Sequence, residues 1–434
     1  MGASPARVVA HRVLGRVLRE GAYADRAFRG EADRAGLDPR ERAFAQRLAY
    51  EAVQRLRTLD WVLERLSDRP LDRIQPDVRD ALRLGVLQIV WLDGVPDRAA
   101  VDQTVELVKA GSPRAAGFAN AVMRRAGREA GGLAAGLGDG SPEEAAIAHS
   151  HPDWLARTWW DALGAEEALA LMARDNEPAE SAVRANALRT TPGELLDLLA
   201  ELGVAAGPAA ATGGLDLPEG LVLDAPFDVH GSDIFERGLL MPQSRASMLV
   251  SRVLDPLPGE RVLDMCAAPG AKSTHLAALM EDRGEVVSLE LDPGRAEATR
   301  RNAARLGAAI VEVRTADARE PVDPAGFDRV LLDAPCSDLG TLQSRPDARW
   351  RKSPDTVREL ATLQRELLDA ALAQLRPGGA LVYSTCTISP LENERQVEAL
   401  LRDRPGLRVE RRLRLLPHRD GTDGFYVARL TLAG

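Results

Sequence analysis

The sequence contains only three cysteines, Cys266, Cys336 and Cys386, separated by 70 and 50 residues. Thiols so few and so far apart exclude a disulfide framework, and no two have the spacing of a zinc site. No stretch approaches the ~18 consecutive apolar residues that span a bilayer. Arginines throughout residues 1–20 interrupt the apolar block that a signal peptide requires. We therefore expect a cytoplasmic protein with no bound metal and no membrane contact.

Charge is unevenly distributed along the 434 residues. The formal net charge of −9 by itself argues against a polyanionic partner. Residues 1–130, however, carry 23 basic and 18 acidic side chains, whereas the remainder carries 33 and 47. This asymmetry is expected when one domain binds nucleic acid, although a solvated surface can give the same count. Two further basic clusters, 345–352 and 402–419, lie within the acidic part.

The order of apolar and glycine residues predicts three domains. Helical periodicity over residues 4–128, for example at Val78, Leu82 and Val86, predicts an all-helical domain over 1–140. Six glycines in 126–142 predict a flexible linker near its end. We expect a small α+β linking domain over 141–240 and a third domain over 241–434.

The third domain has the pattern of an α/β fold. Short apolar runs alternate with helical segments, which predicts βαβ units and a largely parallel, Rossmann-like sheet. Ligands of such sheets bind at the carboxyl ends of the strands. The predicted strands are 261–265, 285–289, 310–313, 329–332 and 380–384, and the main helices are 273–281, 293–306 and 356–375.

A loop of small residues joins the first of these strands to a helix. Such a loop lets a ligand approach the backbone, and the helix N-terminus offers N–H groups to a carboxylate or phosphate. Glu290 closes the second strand about 20 residues later, where it could bind a ribose diol, and Asp317 could accept from an adenine amino group. Because the glycine patterns of phosphate-binding loops are missing, S-adenosylmethionine fits better than a nucleotide. The alternative is a tight turn without a ligand. The loop residues that would contact this cofactor are Cys266, Ala267, Ala268, Pro269, Gly270, Ala271 and Lys272.

Cys336 and Cys386 each follow a predicted strand directly, so both should lie at the ligand-binding edge of the sheet. The alternative is that each is a small buried apolar residue. Two such thiols suit methylation of cytosine C5, because a thiolate must add at C6 before C5 can attack a sulfonium methyl group. Asp333 could stabilise this adduct through N3, and the second cysteine could assist removal of the C5 proton. Since a neutral thiol reacts poorly, we expect the site to lower the pKa of the nucleophile.

These motifs resemble those of RNA 5-methylcytosine methyltransferases. Residues 264–272 are similar to the cofactor loop of that family, and 333–336 and 384–386 are similar to its two cysteine motifs. In the family the cysteine of the Thr-Cys motif is the nucleophile. The resemblance therefore implies that Cys386 is the nucleophile, that Cys336 assists product release, and that loop 266–272, Glu290, Asp317 and Asp333 contact S-adenosylmethionine. Further matches are 345–350, 390–394 and 423–426.

The N-terminal half resembles the NusB-like RNA-binding domain at 83–88, 95–101 and 120–124, and residues 151–155 and 184–186 resemble the small domain that precedes the catalytic one. This combination is the arrangement of the RsmB (Fmu/Sun) type. It implies a monomer that methylates a cytosine of 16S ribosomal RNA, either free or in a small-subunit assembly particle.

Three residues depart from the family pattern. Ala271 replaces a usual glycine, Glu290 replaces a more usual aspartate, and Ser244 stands where an aspartate is common. The first could weaken cofactor affinity, and the last leaves a substrate-side or interdomain contact undefined.

Two alternative functions remain. One is the same reaction on transfer RNA. The other is a non-catalytic RNA-binding assembly or antitermination factor, against which the intact Cys336, Cys386, Asp333 and Asp317 argue. In the catalytic interpretation, we expect the NusB-like domain and cluster 345–352 to bind RNA phosphates, more weakly as salt rises.

Overall fold

The computed structural model describes residues 2–225 and 227–432 and divides the chain into two compact units. The first unit is the chain up to Pro178 together with Leu342–Lys352. The second is Ala179–Thr341 together with the chain from Ser353 onward. None of the helices described is both long and apolar enough to cross a membrane.

The helices and strands of the described residues are numbered in chain order. The helices are α1 Pro5–Glu20, α2 Ala24–Ala35, α3 Pro39–Gln54, α4 Leu56–Leu66, α5 Pro76–Trp91, α6 Asp97–Gly111, α7 Ala116–Ala135, α8 Pro142–Ala148, α9 Asp153–Leu163, α10 Ala165–Arg174, α11 Pro192–Glu201, α12 Asp233–Glu236, α13 Arg245–Leu254, α14 Ala271–Leu279, α15 Pro293–Leu306, α16 Ala348–Arg351, α17 Pro354–Ala373, α18 Glu394–Asp403 and α19 Pro417–Asp420. The strands are β1 Ala182–Ala185, β2 Ala206–Pro208, β3 Gly220–Leu223, β4 Leu240–Pro242, β5 Arg261–Asp264, β6 Glu285–Glu290, β7 Val311–Thr315, β8 Phe327–Asp333, β9 Leu375–Thr385, β10 Leu407–Leu415 and β11 Phe425–Leu432.

The first unit is helical and contains α1 to α10 and α16. Local sequence explains where several of these helices begin. Proline occupies the first turn of α1, α3 and α5, and the Asp38 side chain caps α3 by accepting from the Glu41 N–H at 2.9 Å. Val78, Leu82 and Val86, the predicted apolar stripe, are buried on α5 in one continuous core. The prediction of an all-helical N-terminal region is confirmed.

The prediction of a flexible linker over 126–142 is wrong for most of that stretch. Helix α7 continues through three of its glycines to Ala135. Ala126 and Ala130 on α7 are buried in the helical core. This packing offsets the roughly 1 kcal/mol by which each glycine disfavours a helix relative to alanine.

The second unit contains two sheets. A four-stranded antiparallel sheet has the order β2-β3-β1-β4, and a seven-stranded sheet has the order β10-β11-β9-β8-β5-β6-β7. The expected small domain, 141–240, therefore contributes α8 to α10 to the first unit and β1 to β4 to the second. Together these elements confirm the predicted fold class, in which an all-helical region and an α+β region precede a Rossmann-like domain.

The seven-stranded sheet is parallel at its centre and antiparallel at one edge. Strands β7, β6, β5, β8 and β9 are parallel neighbours, as predicted. Strands β11 and β10 follow β9 antiparallel, and the sequence analysis did not predict them. Because β5, β8 and β9 are adjacent and parallel, their carboxyl ends meet at one edge. The residues that follow these three strands are brought together there.

The segment Leu342–Lys352 folds with the helical unit, and its buried Arg349 cannot contribute to the RNA phosphate contacts expected of cluster 345–352. Arg349 is fully buried and donates to four oxygen acceptors. These are the Gln54 carbonyl at 3.1 Å, the Ser150 carbonyl at 3.0 Å, the Asp175 carbonyl at 3.0 Å and the Asn176 side chain at 2.9 Å. The Trp350 indole N–H donates to the Val53 carbonyl at 2.7 Å. Arg349 is therefore a structural anchor, whereas Arg345 is exposed.

Candidate active site

The two cysteines that follow β8 and β9 lie side by side. The Sγ atoms of Cys336 and Cys386 are 3.3 Å apart, with Cys336 buried and Cys386 half-buried. Strand pairing explains this proximity, since Asp333 at the end of β8 is in register with Ser384 near the end of β9. The expectation that both thiols share one edge of the sheet agrees with this placement.

The environment of Cys386 does not lower the pKa of its thiol. The adjacent Cys336 thiol, burial, and the nearby carboxylates of Asp338 and Asp333 all raise this pKa well above its ordinary value. The expectation of a lowered pKa is therefore wrong. Carboxylates from the loop after β8 face the sulfur, and they disfavour a second negative charge. Cys386 rests as a neutral thiol, so its activation requires a proton acceptor.

Asp338 is a site residue that the sequence analysis missed. The thiol of Cys386 donates to Asp338 Oδ1 at 3.1 Å. Asp338 has a φ of 61°, in the left-handed region that few residues other than glycine adopt. The two sulfurs and this carboxylate oxygen lie within 4.8 Å of one another. The only signal in the sequence is an acidic residue two positions after Cys336.

Asp333 is held by hydrogen bonds to both of its carboxylate oxygens. Lys272 Nζ donates to Oδ2 at 2.6 Å, and Ser384 Oγ donates to Oδ1 at 2.6 Å. Burial opposes the positive charge of Lys272, but the Asp333 carboxylate outweighs burial and raises the pKa of the ammonium group. The two contacts fix the carboxylate next to the cysteines, and they connect the first turn of α14 with β8 and β9.

Glu392 and Asn393 hold the residues that flank the two cysteines. Glu392 is fully buried and accepts from the Ser337 backbone N–H at 2.8 Å and from the Ser337 hydroxyl at 2.6 Å. Asn393 accepts from the Thr385 hydroxyl and donates to the Thr387 carbonyl at 2.9 Å. One dipeptide thus fixes the neighbour of Cys336 and both neighbours of Cys386. Residues 390–394 match the family pattern, but the pattern alone assigns them no role.

The loop between β5 and α14 has the form of a cofactor cradle. Gly270 has a φ of 95°, and a Cβ there would approach Thr299 Cγ2 to 3.0 Å, so glycine suits this position. The N-terminus of the nine-residue helix α14 follows directly. Within the described residues, the buried Asp264 Oδ1 has no hydrogen-bond partner, while Oδ2 accepts from the Ser273 hydroxyl at 2.7 Å. Burial raises the pKa of Asp264 to about 6. A bound ligand that donates to Asp264 would fit this cradle.

The remaining predicted cofactor residues lie at the carboxyl ends of β5, β6 and β7. Glu290 ends β6, and its carboxylate accepts from the Asp292 N–H at 3.0 Å and faces Arg295 at 3.4 Å. Asp317 follows β7 and binds the Arg319 guanidinium at 2.7 Å, which lowers the pKa of Asp317. Cys266 is half-buried, and burial raises the pKa of its thiol well above its ordinary value. Both carboxylates are thus already engaged, and a ligand would have to share them.

Two of the departures from the family pattern have structural explanations. Ala271 is the first residue of α14, where alanine is the best helix former. Ser244 caps α13 by accepting from the Ser247 N–H at 3.4 Å, a role that serine and aspartate perform equally well. The neighbouring Gln243 accepts from the buried Arg184, which also donates to the Thr274 hydroxyl at 3.0 Å. Arg184 therefore connects β1 to the cofactor loop.

A Rossmann-like sheet whose cofactor cradle lies beside two adjacent thiols defines the class: a cofactor-dependent methyltransferase that follows an all-helical region. Comparison with known families gives the same result. Residues 251–431 match the model described as 16S rRNA methyltransferase RsmB/F, residues 4–128 match the NusB family, and residues 151–230 match the Methyltr_RsmF/B-like, ferredoxin-like domain.

Individual relatives cover the whole chain. The ribosomal RNA small subunit methyltransferase B of Thermus thermophilus is 38% identical, over 99% of this chain and 98% of its own. The crystal structure of PH0851 is 26% identical with a TM-score of 0.82 and 99% coverage of both chains. NSun6 from Pyrococcus horikoshii, solved with SFG, is 26% identical with a TM-score of 0.59, covering 65% of this chain and 98% of its own.

The chain belongs to the RsmB/F family of 16S rRNA methyltransferases, with an N-terminal NusB domain. The family uses S-adenosylmethionine as its methyl donor, which confirms the predicted cofactor and enzyme class. The resemblance deduced from the motifs is confirmed as well.

Proposed function

We propose that this protein methylates C5 of a cytosine in 16S ribosomal RNA through a covalent cysteine–C6 adduct. The observation that carries this proposal is the 3.3 Å separation of the Cys336 and Cys386 sulfurs, beside a fixed Asp333 carboxylate. Two thiols in contact have no structural task at the ligand-binding edge of a sheet. Addition of one sulfur to C6 and release assisted by the other would use both.

Each residue of the site has a separate task in this mechanism. Bound S-adenosylmethionine supplies an electrophilic methyl group on a sulfonium. Cys386 adds to C6 and makes C5 nucleophilic, and Asp333, once protonated, stabilises the adduct by donating a hydrogen bond to N3. Lys272 holds the Asp333 carboxylate in place. Cys336 assists removal of the C5 proton, after which the Cys386 sulfur can leave.

Loop 266–272 and the carboxylates of Glu290, Asp317 and Asp333 would hold the cofactor. The Gly270 turn and the α14 N-terminus favour a carboxylate close to the backbone. Glu290, at the end of β6, is placed for the ribose diol. With ribosomal RNA as its substrate, the protein would act in the cytoplasm, and we expect a monomer there.

The target cytosine must leave its helix or loop to reach a sheet-edge pocket, which costs a few kcal/mol. The exposed arginines of the helical unit, such as Arg345, would then supply contacts to phosphates. We expect RNA binding to weaken as salt rises, and the slope of log affinity against log salt concentration should follow the number of these phosphate contacts.

The test is methyl transfer from labelled S-adenosylmethionine into RNA from cells that lack this protein, offered as naked RNA and as subunit particles. The RNA is size-fractionated and digested to nucleosides. Label in 5-methylcytosine of small-subunit ribosomal RNA is the expected result. Label in transfer RNA would support the proposed reaction but show that transfer RNA, not 16S ribosomal RNA, is the substrate. No label in any fraction would favour a non-catalytic RNA-binding factor.

The roles of the two cysteines are tested by trapping the adduct. Cys336→Ala should accumulate a covalent protein–RNA species on denaturing gels, because release is impaired, whereas Cys386→Ala should form none. A persistent adduct in Cys386→Ala would reverse the assignment of the nucleophile.

A further inference from the structure

The turn that carries Asp338 is fixed against the backbone of Cys386. The Gly340 N–H donates to the Cys386 carbonyl at 3.0 Å, and the Gly424 N–H donates to the Gly340 carbonyl at 2.7 Å. A Cβ at Gly340 would lie 2.0 Å from the Gly424 carbonyl oxygen, so only glycine allows this approach. Thr341 closes the turn by donating from its backbone N–H and its hydroxyl to the Asp338 carbonyl, at 3.1 and 2.9 Å. The position of Asp338 relative to the nucleophile is therefore set by backbone contacts.

The backbone of Asp338 is unfavourable for most side chains. A φ of 61° places it in the left-handed region, which aspartate enters more readily than most residues with a Cβ but less readily than glycine. Glycine would relieve that strain. The carboxylate instead reaches the Cys386 sulfur at 3.1 Å. Strain retained at a reacting atom suggests that the carboxylate has a task there.

The direction of the hydrogen bonds around Cys386 follows from the chemistry of the partners. An ionised carboxylate can only accept, so the hydrogen between Cys386 and Asp338 belongs to the thiol. The Cys386 sulfur is then the acceptor in its 3.3 Å contact with Cys336. A short chain results, in which Cys336 donates to Cys386 and Cys386 donates to Asp338. This chain is oriented for moving the proton of Cys386 away from its sulfur.

We propose that Asp338 is a catalytic residue that accepts the thiol proton of Cys386 as the sulfur adds to C6 of cytosine. The proposal rests on the function proposed above. The Sγ–H bond breaks, its proton goes to the Asp338 carboxylate, and the sulfur electron pair forms the Sγ–C6 bond. The electron pair of the C5=C6 bond shifts to C5. When the product leaves, the Sγ–C6 pair returns to sulfur and Asp338 gives the proton back.

The negative charge of Asp338 also disfavours the Cys386 thiolate, an effect that opposes its role as proton acceptor. The two effects predict different results when the charge is removed, so the proposal is testable. Asp338 and Asp333 both raise the pKa of the Cys386 thiol, whereas Lys272 is the positive group among the charged residues that face it. Removing the charge of Asp338 should therefore produce more thiolate at neutral pH. If Asp338 acted only through its charge, its removal would accelerate methyl transfer. If Asp338 accepts the proton, its removal slows the reaction.

The experiment compares Asp338→Asn with the wild-type chain. Asparagine has the same size, tolerates a positive φ and can still accept a hydrogen bond, but it is not a base. Single-turnover methyl transfer is measured from pH 6 to 10, and alkylation of Cys386 by iodoacetamide is followed over the same range by peptide mass spectrometry. We expect the alkylation profile of Asp338→Asn to move to lower pH. Methyl transfer at pH 7 should fall about 100-fold, the lower range for general base catalysis, and recover as pH rises.

Asp338→Gly provides a second variant, because glycine relieves the backbone strain while removing the carboxylate. This variant should be at least as resistant to thermal unfolding as the wild type. Its rate of methyl transfer at pH 7 should fall as much as that of Asp338→Asn. Unchanged or faster methyl transfer in either variant, or an alkylation profile that does not move, overturns the proposal. Failure of the proposed function looks different: the wild type would then methylate no RNA, and Cys336→Ala would trap no adduct.

Discussion

Replacement of Arg349 by methionine tests whether this residue of the basic segment 345–352 is a structural element or part of an RNA-binding surface. Methionine keeps much of the side-chain volume and removes the guanidinium. In the structure that group is fully buried and donates to three carbonyls and one side-chain amide oxygen, all at 2.9–3.1 Å. The substitution would leave four buried acceptors without their donor.

The magnitude follows from these contacts. Hydrogen bonds to charged groups contribute about 1.5–3 kcal/mol each, but losses within one network are not additive. Burial itself opposes the charge, since it lowers the pKa of Arg349 to about 10. Removing one partner from a buried charged network typically destabilises by about 3–5 kcal/mol. We therefore expect about 4 kcal/mol, close to a 1,000-fold increase in local opening.

Hydrogen–deuterium exchange is the suitable assay, because two units need not unfold in one step. Peptides from α3 and α10, which flank the acceptors of Arg349, should exchange faster in Arg349→Met. The matched control is Arg345→Ala, which removes an exposed arginine four residues away. Because its side chain is exposed, this variant should change exchange in α3 and α10 much less than Arg349→Met. If Arg345 contacts a phosphate, it should also reduce the salt slope of RNA binding by about one. Unchanged exchange in Arg349→Met, with a reduced salt slope, would refute the structural role.

Two further substitutions probe the catalytic unit. The pKa of Asp264 is raised from 3.8 to about 6 by burial, so its stabilising contribution is complete below pH 4 and is lost as pH rises through 6. The wild type should lose up to about 3 kcal/mol relative to Asp264→Asn between pH 4 and 7 in urea unfolding, and a pH-independent difference would contradict this. Glu392→Ala should slow adduct formation at least 10-fold, because Ser337 loses both contacts, while calorimetric binding of S-adenosylmethionine stays unchanged.

The elements that the sequence predicts well are those whose pattern is local. The stripe at Val78, Leu82 and Val86 follows from the helical periodicity of apolar residues, and the five parallel strands follow from short apolar runs. Strand β10 alternates Leu407, Val409, Leu413 and Leu415 with charged residues, a strand signal that the prediction did not use. The alternation is interrupted once, at Arg411, where the pairing with β11 shifts register. The glycines of α7 mislead because distant packing outweighs their local preference.

The site was predictable in its chemistry but not in its electrostatics. The positions of Cys336 and Cys386 after two strands place them at one edge, because adjacent parallel strands end together. The raised pKa of Cys386 depends on its burial and on the nearby carboxylates of Asp333 and Asp338. Neither its burial nor these distances can be deduced before the chain is folded. The burial of Arg349 was also unpredictable, because a charged residue in a basic cluster is usually solvated. Its acceptors at residues 54, 150 and 175 are distant in sequence and come together only in the folded chain.

The geometry of the two thiols is set by residues that carry no reacting atom. Cys336 and Cys386 are 50 positions apart in sequence, yet their relative position must be held to a fraction of an ångström for one sulfur to serve the other. Glu392 holds the residue after Cys336, Asn393 holds the residues on both sides of Cys386, and the Gly340 N–H binds the Cys386 carbonyl. The loop that carries Cys336 and the loop that carries Cys386 are thus held together by three sets of buried polar contacts. Loss of any one of them should change the adduct chemistry before it changes cofactor binding, because the cradle at Gly270 is built from β5, α14 and α15 instead.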